Sequence, residues 1–306
     1  MSKYIFGPVP SRRLGRSLGV DLVPMKTCSY DCIYCQLGKT TCKTTERKEW
    51  VPLEDVLAEL EGKLHSEPDY ITLSGSGEPT LYSRCDELID RIKATTDVPV
   101  AVLTNGSLLW QDEVRRQLMN ADLVIPSLDA GDEAMYRLVN RPHEDLSFEK
   151  MLSGLIEFRR EFRGQYWLEL LMVGAFTVIK DAVDKLVECV DIIAPDRVQL
   201  NTVTRPPAEN FAIGISQNQL NKLAGMFNPP AQVIADFQGT HEQLEFAAGR
   251  EDVLNLLRRR PCSTEDIADG LGMHRNEVVK HIEYLSQQGQ LLQTQTAGRL
   301  YYRAEE

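Results

Sequence analysis

Apolar residues recur along this chain in two alternating rhythms. Short runs have the length and apolar content of buried strands: Leu18-Gly19-Val20-Asp21-Leu22-Val23, Tyr70-Ile71-Thr72-Leu73, Val98 to Thr104, Leu123-Val124-Ile125, Trp167 to Val173, and Arg197-Val198-Gln199-Leu200-Asn201. Between them, longer stretches carry apolar residues at the helical period. Leu53, Val56, Leu57, Leu60 and Leu64 mark one face of a first helix. Further helices are expected over Cys85 to Lys93, Gln111 to Met119, from about Asp132, and over Ser147 to Phe162, Ala182 to Ile193 and Ser216 to Phe227. Strands alternating with helices predict an α/β fold with a parallel sheet and right-handed crossovers. Six such units fit an incomplete β/α barrel, open on one side, and a doubly wound open sheet has the same local pattern.

The pattern changes after the sixth strand. Thr204-Arg205-Pro206-Pro207-Ala208-Glu209-Asn210 and Asn228-Pro229-Pro230 are turn-rich, Gln232 to Phe237 reads as an edge strand, and Gln238 to Ala248 leads onward. From Arg250 the chain has the order of a winged helix-turn-helix. Val253, Leu254, Leu256 and Leu257 mark a first helix, and Ser263 caps a second with Asp266 at the box position. Gly270-Leu271-Gly272 supplies the turn, His274 to Gln287 the third helix, and Leu291-Leu292 and Leu300-Tyr301-Tyr302 a two-stranded wing around Gly298. The expected domains are therefore residues 1–235 and 250–306.

Composition narrows the function classes. The chain has 306 residues, is 42% hydrophobic and 26% charged, and has ample apolar material for a core. No apolar run reaches the roughly 18 residues of a membrane span, and the N-terminus lacks the apolar stretch of a secretory signal. The expected location is the cytoplasm, with no membrane partner. A net charge of −11 argues against a protein that coats nucleic acid. The winged-helix segment carries eight Lys/Arg against nine Asp/Glu. Arg275, Asn276, Lys280 and His281 on its third helix, with Arg299 and Arg303 on the wing, are the candidates for DNA contact, and Glu277 and Glu283 oppose them. Protein docking, peptide binding and plain packing are the other uses of such a unit.

The chemistry concentrates in Cys28, Cys32 and Cys35, a C-x3-C-x2-C array with Tyr34 before the last cysteine. Seven cysteines in a reducing compartment suggest metal ligands or buried thiols before disulfides. A closed structural zinc site takes four protein ligands. Here no histidine lies in or beside the loop, and the next thiol, Cys42, is seven residues on. Three thiolates on a close-spaced loop suit a four-iron cluster with one iron left open. Cys85 and Cys189 fall in expected helices and read as buried thiols, Cys262 is isolated, and Cys42 is the first suspect for any auxiliary cluster.

Cys28-Ser29-Tyr30-Asp31-Cys32-Ile33-Tyr34-Cys35 resembles the signature loop of the radical S-adenosylmethionine superfamily. The resemblance implies a partial (β/α)6 radical-SAM barrel and one [4Fe-4S] cluster on Cys28, Cys32 and Cys35. It also implies S-adenosyl-L-methionine as cofactor, cleaved reductively to methionine and a 5′-deoxyadenosyl radical that abstracts hydrogen from substrate. Tyr34 then borders the adenine. Ser74-Gly75-Ser76-Gly77-Glu78-Pro79-Thr80 is similar to the family's Gly-Gly-Glu-Pro segment, which meets the methionyl amine, and implies Gly75, Gly77, Glu78 and Pro79 as cofactor contacts. It departs from that segment at Ser76. Asn105, Ser127 and Asp129 end successive strands, where a barrel collects its chemistry. Their implied role is at the cofactor's ribose and carboxylate, with Gln199 and Asn201 as weaker candidates and simple turn roles as the alternative. Arg141, in Asn140-Arg141-Pro142-His143, is a cation suited to a carboxylate, a phosphate or solvent.

Gly7-Pro8-Val9-Pro10-Ser11-Arg12-Arg13-Leu14-Gly15, Pro126-Ser127-Leu128-Asp129-Ala130, Asn140-Arg141-Pro142 and Gln199-Leu200-Asn201-Thr202 are together similar to a branch of iron–sulfur oxidoreductases. More distantly, they resemble the wybutosine-synthesis radical enzymes, which modify a tRNA guanine and carry a second cluster on upstream cysteines. This chain has no cysteine before Cys28. The branch implies a one-electron donor such as flavodoxin or ferredoxin and a substrate that is RNA or a protein or peptide. The competing reading is a regulator whose cluster senses redox state and whose winged helix binds DNA. A sensor has no use for Gly75-Ser76-Gly77-Glu78-Pro79 and Asn105 at successive strand ends, which favours the enzyme.

Overall fold

The computed structural model describes residues 3–11, 13–235, 249–271, 273, 275–296 and 298–305. The antiparallel pair β1 (Ile5–Ser11) and β2 (Gly15–Val20) leads into the cysteine loop. That loop holds the short parallel pair β3 (Thr27–Cys28) and β4 (Cys42–Lys43). The chain continues through α1 (Leu53–Glu61), β5 (Tyr70–Leu73), α2 (Cys85–Thr95), β6 (Val100–Thr104) and α3 (Asp112–Gln117). Then come β7 (Leu123–Pro126), α4 (Glu133–Val139), α5 (Phe148–Glu161), β8 (Gln165–Met172), α6 (Lys180–Ile193), β9 (Arg197–Thr202), α7 (Gln217–Ala224) and β10 (Gln232–Val233).

The main sheet has eight strands in the order β1-β2-β5-β6-β7-β8-β9-β10, and every pair after β1-β2 is parallel. Chain order and spatial order coincide throughout. A doubly wound sheet reverses its order at a switch point. The absence of a reversal makes this a barrel-type wrap, and with β1 and β10 at opposite ends of the order the barrel is partial.

The helical periods bury the faces they mark. Leu53, Val56, Leu57 and Leu60 of α1 are all buried, each contributing about 1.5–3 kcal/mol. That burial holds a nine-residue helix too short to persist alone. Leu64 falls beyond it, in a single 3-10 turn over Leu64–Ser66. Asp132 and Ser147 are N-caps, accepting from the backbone N–H of Met135 at 2.8 Å and of Lys150 at 3.3 Å. The first barrel strand is shifted from expectation. The ladder closes at Val20 opposite Leu73, while Leu22 and Val23 stay apolar because they are buried without being paired. β1 was not among the expected strands, and two prolines fall within it. It is an edge strand with a register shift between Phe6 and Val9, where proline is tolerated.

Beyond the barrel lie α8 (Arg250–Arg259), α9 (Thr264–Leu271), α10 (Arg275–Gln287) and the antiparallel pair β11 (Leu291–Thr296) and β12 (Arg299–Ala304). Val253, Leu257, Ile267, Val278, Ile282 and Leu285 form their common core, and Val9 of β1 packs into it. Ser263 and Asp266 form a reciprocal cap, with Ser263 N–H to Asp266 Oδ2 at 3.0 Å and Asp266 N–H to Ser263 Oγ at 3.1 Å. Polar contacts tie this unit to the barrel. Arg259 pairs with Asp21 at 2.6 Å, and Tyr301 O–H donates to the Thr204 carbonyl at 2.7 Å. The expected course of Gln238 to Ala248, the end of the edge strand at Phe237, and Gly272 and His274 lie outside the described residues. Among the described residues no helix is long and apolar enough to cross a membrane.

Candidate active site at the cysteine loop

Backbone bonds fix the cysteine loop. Asp31 N–H donates to the carbonyls of Asn140 and Arg141, and Ile33 N–H to that of Val139 at 3.0 Å, which laces the loop to the end of α4. The Ile33 side chain is buried beside Val139, Val173 and Ala212. Cys35 N–H closes a turn on the Cys32 carbonyl at 3.1 Å. The three thiols are therefore carried by a shaped backbone.

Each sulfur also meets N–H donors. Tyr30 N–H lies 3.4 Å and Asn105 Nδ2 3.5 Å from Cys28 Sγ, and Asn140 Nδ2 lies 3.6 Å from Cys32 Sγ. The backbone N–H groups of Leu37 and Gly38 favour the thiolate of Cys35. Burial nevertheless pushes the free Cys28 thiol up to about 12, with the Glu78 charge adding to it. Burial also raises Cys32 and Cys35. Metal loading must displace those protons.

The donor set fits a cluster better than a single ion. Among the described residues no three His, Cys, Asp or Glu side chains converge on a point where one metal ion could sit. A tetrahedral zinc site with sulfur at about 2.3 Å needs that convergence. A four-iron cluster spreads its cysteine ligands over different irons, and N–H donors to sulfur are among the features that tune it. Cys85, Cys189 and Cys262 are buried elsewhere, and Cys42 is exposed on β4.

The strand ends surround this loop. Glu78 is 2% exposed, and its carboxylate accepts from Thr80 N–H at 3.0 Å, Thr80 Oγ1 and Thr104 Oγ1 at 2.6 Å, and Asn105 N–H at 2.7 Å. It thus joins the ends of β5 and β6 through bonds made within the protein. Burial still raises its pKa against those bonds. The glycines beside it serve the same packing. A Cβ on Gly77 would lie 1.8 Å from the Thr27 carbonyl, and Gly75, at φ +142°, leaves room for the Asp21 carboxylate.

Asp129, after β7, is 4% exposed and accepts from Tyr34 O–H, from Asn140 Nδ2 at 2.8 Å and from Leu171 N–H at 3.0 Å. Burial lifts it to about 6. Tyr34 is thereby oriented by a carboxylate on a different strand. Asn201 donates to Glu169 at 2.9 Å, and Glu169 pairs with Arg13 at 2.5 Å.

One cavity of about 460 Å³, in the range of small-molecule sites, collects most of these groups. Cys28, Tyr34, Cys35, Gly75, Gly77, Glu78, Asn105, Ser127, Asp129 and Asn201 all line it. Cys32 is not among the lining residues, and its sulfur meets Asn140 Nδ2 at 3.6 Å. Pro79 does not line it, and instead starts a buried 3-10 turn over Pro79–Leu81. Gln199 is buried beneath the cavity floor, 3.4 Å from Arg13. Arg141 meets the chain's own Glu209 at 2.7 Å.

Three members of the constellation escaped the sequence reading as site residues: Arg13, Asn140 and Glu169. Glu169 left a signal, since it is the one charged residue inside the otherwise apolar run Tyr166 to Met172. Arg13 and Asn140 lie in quoted motifs, but nothing local reveals their partners.

Comparison with known proteins gives the family and agrees with the fold. Residues 22–190 match the Radical SAM superfamily. A UPF0026 protein of Methanocaldococcus jannaschii is 35% identical over 97% of this chain and 94% of its own length. A protein of Brachyspira hyodysenteriae named GTPase Obg is 39% identical over 98% of this chain, which spans 45% of that protein's length. A radical SAM methyltransferase from Sphaerobacter thermophilus has a similar fold, with TM-score 0.55 at 15% identity over 71% of this chain and 65% of that one. Streptococcus suis SuiB bound to S-adenosylmethionine gives TM-score 0.51 at 15% identity, over 77% of this chain and 54% of that one.

Proposed function

Because the chain belongs to the radical SAM superfamily, whose members use a [4Fe-4S] cluster and S-adenosylmethionine, we propose that Cys28, Cys32 and Cys35 hold one such cluster and that this chain uses it for hydrogen abstraction from a substrate. When bound, the cluster supplies one electron to cleave S-adenosylmethionine into methionine and a 5′-deoxyadenosyl radical. A small one-electron donor of the flavodoxin or ferredoxin kind serves as reductant.

The residues of the chain do the positioning. Asn105 and Asn140 aim amide N–H groups at the sulfurs of Cys28 and Cys32. Asp129 fixes the Tyr34 phenol against the cavity wall. Glu78 locks the ends of β5 and β6 so that Ser74 to Gly77 and Asn105 keep their relation to the loop. Ser127 and Asn201 supply polar groups for ribose and carboxylate oxygens. The unit from 249 to 305 is read as a winged helix that closes one side of the cavity, since Leu256, Arg259 and Arg260 line it.

The observation that carries the reading is that the cysteine loop and the ends of β5, β6 and β7 open on one cavity. Against a DNA-reading regulator stands the mixed charge of α10, where Arg275 is paired with Glu265 at 2.6 Å and Glu277 and Glu283 are exposed. The test is anaerobic reconstitution with iron and sulfide, addition of dithionite and S-adenosylmethionine, and quantification of 5′-deoxyadenosine. Formation of the nucleoside, lost in Cys32→Ala, is expected. Cleavage that survives in Cys32→Ala refutes the cluster assignment.

A further inference from the structure

The lining of the cavity is rich in arginine. Arg13, Arg205, Arg259 and Arg260 all line the cavity. Two of them are matched: Arg13 with Glu169 at 2.5 Å and Arg259 with Asp21 at 2.6 Å. The other two share Asp266 as their nearby carboxylate, and Arg260 also meets the Cys262 thiol. Arg205 Nη2 is 3.5 Å from Asp266 Oδ1, a long contact, because Asp266 Oδ2 is held by the N–H and hydroxyl of Ser263 at 3.0 and 3.1 Å. Arg260 makes no ion pair among the described residues, and burial and the adjacent Arg205 charge both work against its cation.

A second observation points the same way. Arg205 Nη1 donates to Gln36 Oε1 at 3.1 Å, yet its Nε–H is buried with no acceptor. Buried N–H groups without acceptors are rare, and each calls for a specific explanation. Two guanidinium groups against one carboxylate leave an excess positive charge in a partly desolvated place. The two sides of this site come from different units. Arg205 follows Thr204, whose carbonyl is bonded by Tyr301 of β12, and Arg260 is the C-cap residue just past α8. The site exists only with the C-terminal unit docked.

We infer that Arg205 and Arg260 bind an anionic oxygen group, a carboxylate or a phosphate, carried by the substrate. Both groups match the planar donor fork of arginine in charge and spacing. The inference rests on the reading of the cavity as a radical S-adenosylmethionine site, because it assigns these two arginines to substrate and the cysteine loop with the ends of β5, β6 and β7 to cofactor. The C-terminal unit then completes the substrate site.

The test titrates inorganic phosphate and, separately, acetate into the reconstituted full chain holding S-adenosylmethionine, by calorimetry at low ionic strength. The variants are Arg260→Gln, Arg205→Gln and, as an exposed control, Arg258→Gln. At least one anion is expected to bind the wild type and Arg258→Gln alike, and to bind at least tenfold more weakly to Arg205→Gln and Arg260→Gln. The stronger of the two anions identifies the group. Folding is checked by circular dichroism, and Arg260→Lys, which keeps the charge, recovers part of the binding if a variant is perturbed. No anion binding to the wild type, or equal binding to Arg260→Gln, overturns the inference. An equal loss of S-adenosylmethionine affinity in both variants also overturns it, because the arginines would then hold the cofactor's carboxylate. The same titration in cluster-free Cys32→Ala separates the two readings. Anion binding that persists there keeps the site even if wild-type protein makes no 5′-deoxyadenosine.

Discussion

Two groups of residues around the cavity are built on opposite principles. Around the cysteine loop, Glu78 is answered from within the protein by Thr80, Thr104 and Asn105, and Asp129 by Tyr34, Asn140 and Leu171. In the second group, Arg205 and Arg260 share one carboxylate that is already committed to capping α9. The first group is preorganised, with side chains held by neighbours before anything binds. The second is left with charge to be met by a ligand. Polar groups of the first therefore report on architecture, and those of the second on what the cavity receives.

The sharpest way to break this contrast is to remove a thiol. Cys32→Ala should lose cluster iron and all 5′-deoxyadenosine formation, measured by iron and sulfide assay and by chromatography of the products. Next in size is Gly77→Ala, which removes no thiol. Its Cβ would sit 1.8 Å from the Thr27 carbonyl, so the backbone leading to Cys28 must move. Iron loading well below wild type is expected, and normal loading would show that the loop tolerates displacement.

Glu78→Ala is expected to keep its iron while losing about 3 kcal/mol of stability, because buried donors on Thr80, Thr104 and Asn105 lose their acceptor. Anaerobic urea unfolding reads that loss, and cofactor titration should show weaker binding as the Asn105 segment loosens. A stability change near zero would mean that Glu78 is not the clamp between β5 and β6. The smallest effect belongs to the arginine group. Ser263→Ala removes the hydroxyl cap of α9 and should cost about 1 kcal/mol. It leaves Asp266 Oδ2 with only the backbone N–H of residue 263, so more of the carboxylate is available to Arg205 and anion binding there should weaken. Unchanged anion affinity would separate the cap from the arginine site.

Much of the fold was legible because burial repeats locally. The short apolar runs and helical faces located the six parallel strands that alternate with helices, and Asp132, Ser147 and Ser263 marked helix starts that the structure caps in place. β1 was not legible, since an edge strand interrupted at Gly7-Pro8 has no alternating pattern. In the site, the spacing of the cysteines and the strand-end positions of Asn105 and Asp129 were visible. The partners were not. Asp21 and Arg259 are 238 residues apart and Arg13 and Glu169 are 156 apart, and no local period carries such pairings. The same limit explains Gly75, Gly77 and Glu78. Sequence marked them as ligand contacts, while their packing against Asp21, Thr27 and Thr104 depends on a fold that has already closed.

The most direct test of the central claim is electron paramagnetic resonance of the reduced, reconstituted protein with and without S-adenosylmethionine, together with counts of iron and sulfide. The account predicts about four irons and four sulfides per chain. It also predicts a reduced-cluster signal that changes when the cofactor is added and is absent from Cys32→Ala. A single tightly bound zinc or iron per chain, or a cluster signal that S-adenosylmethionine leaves unmoved, would contradict it.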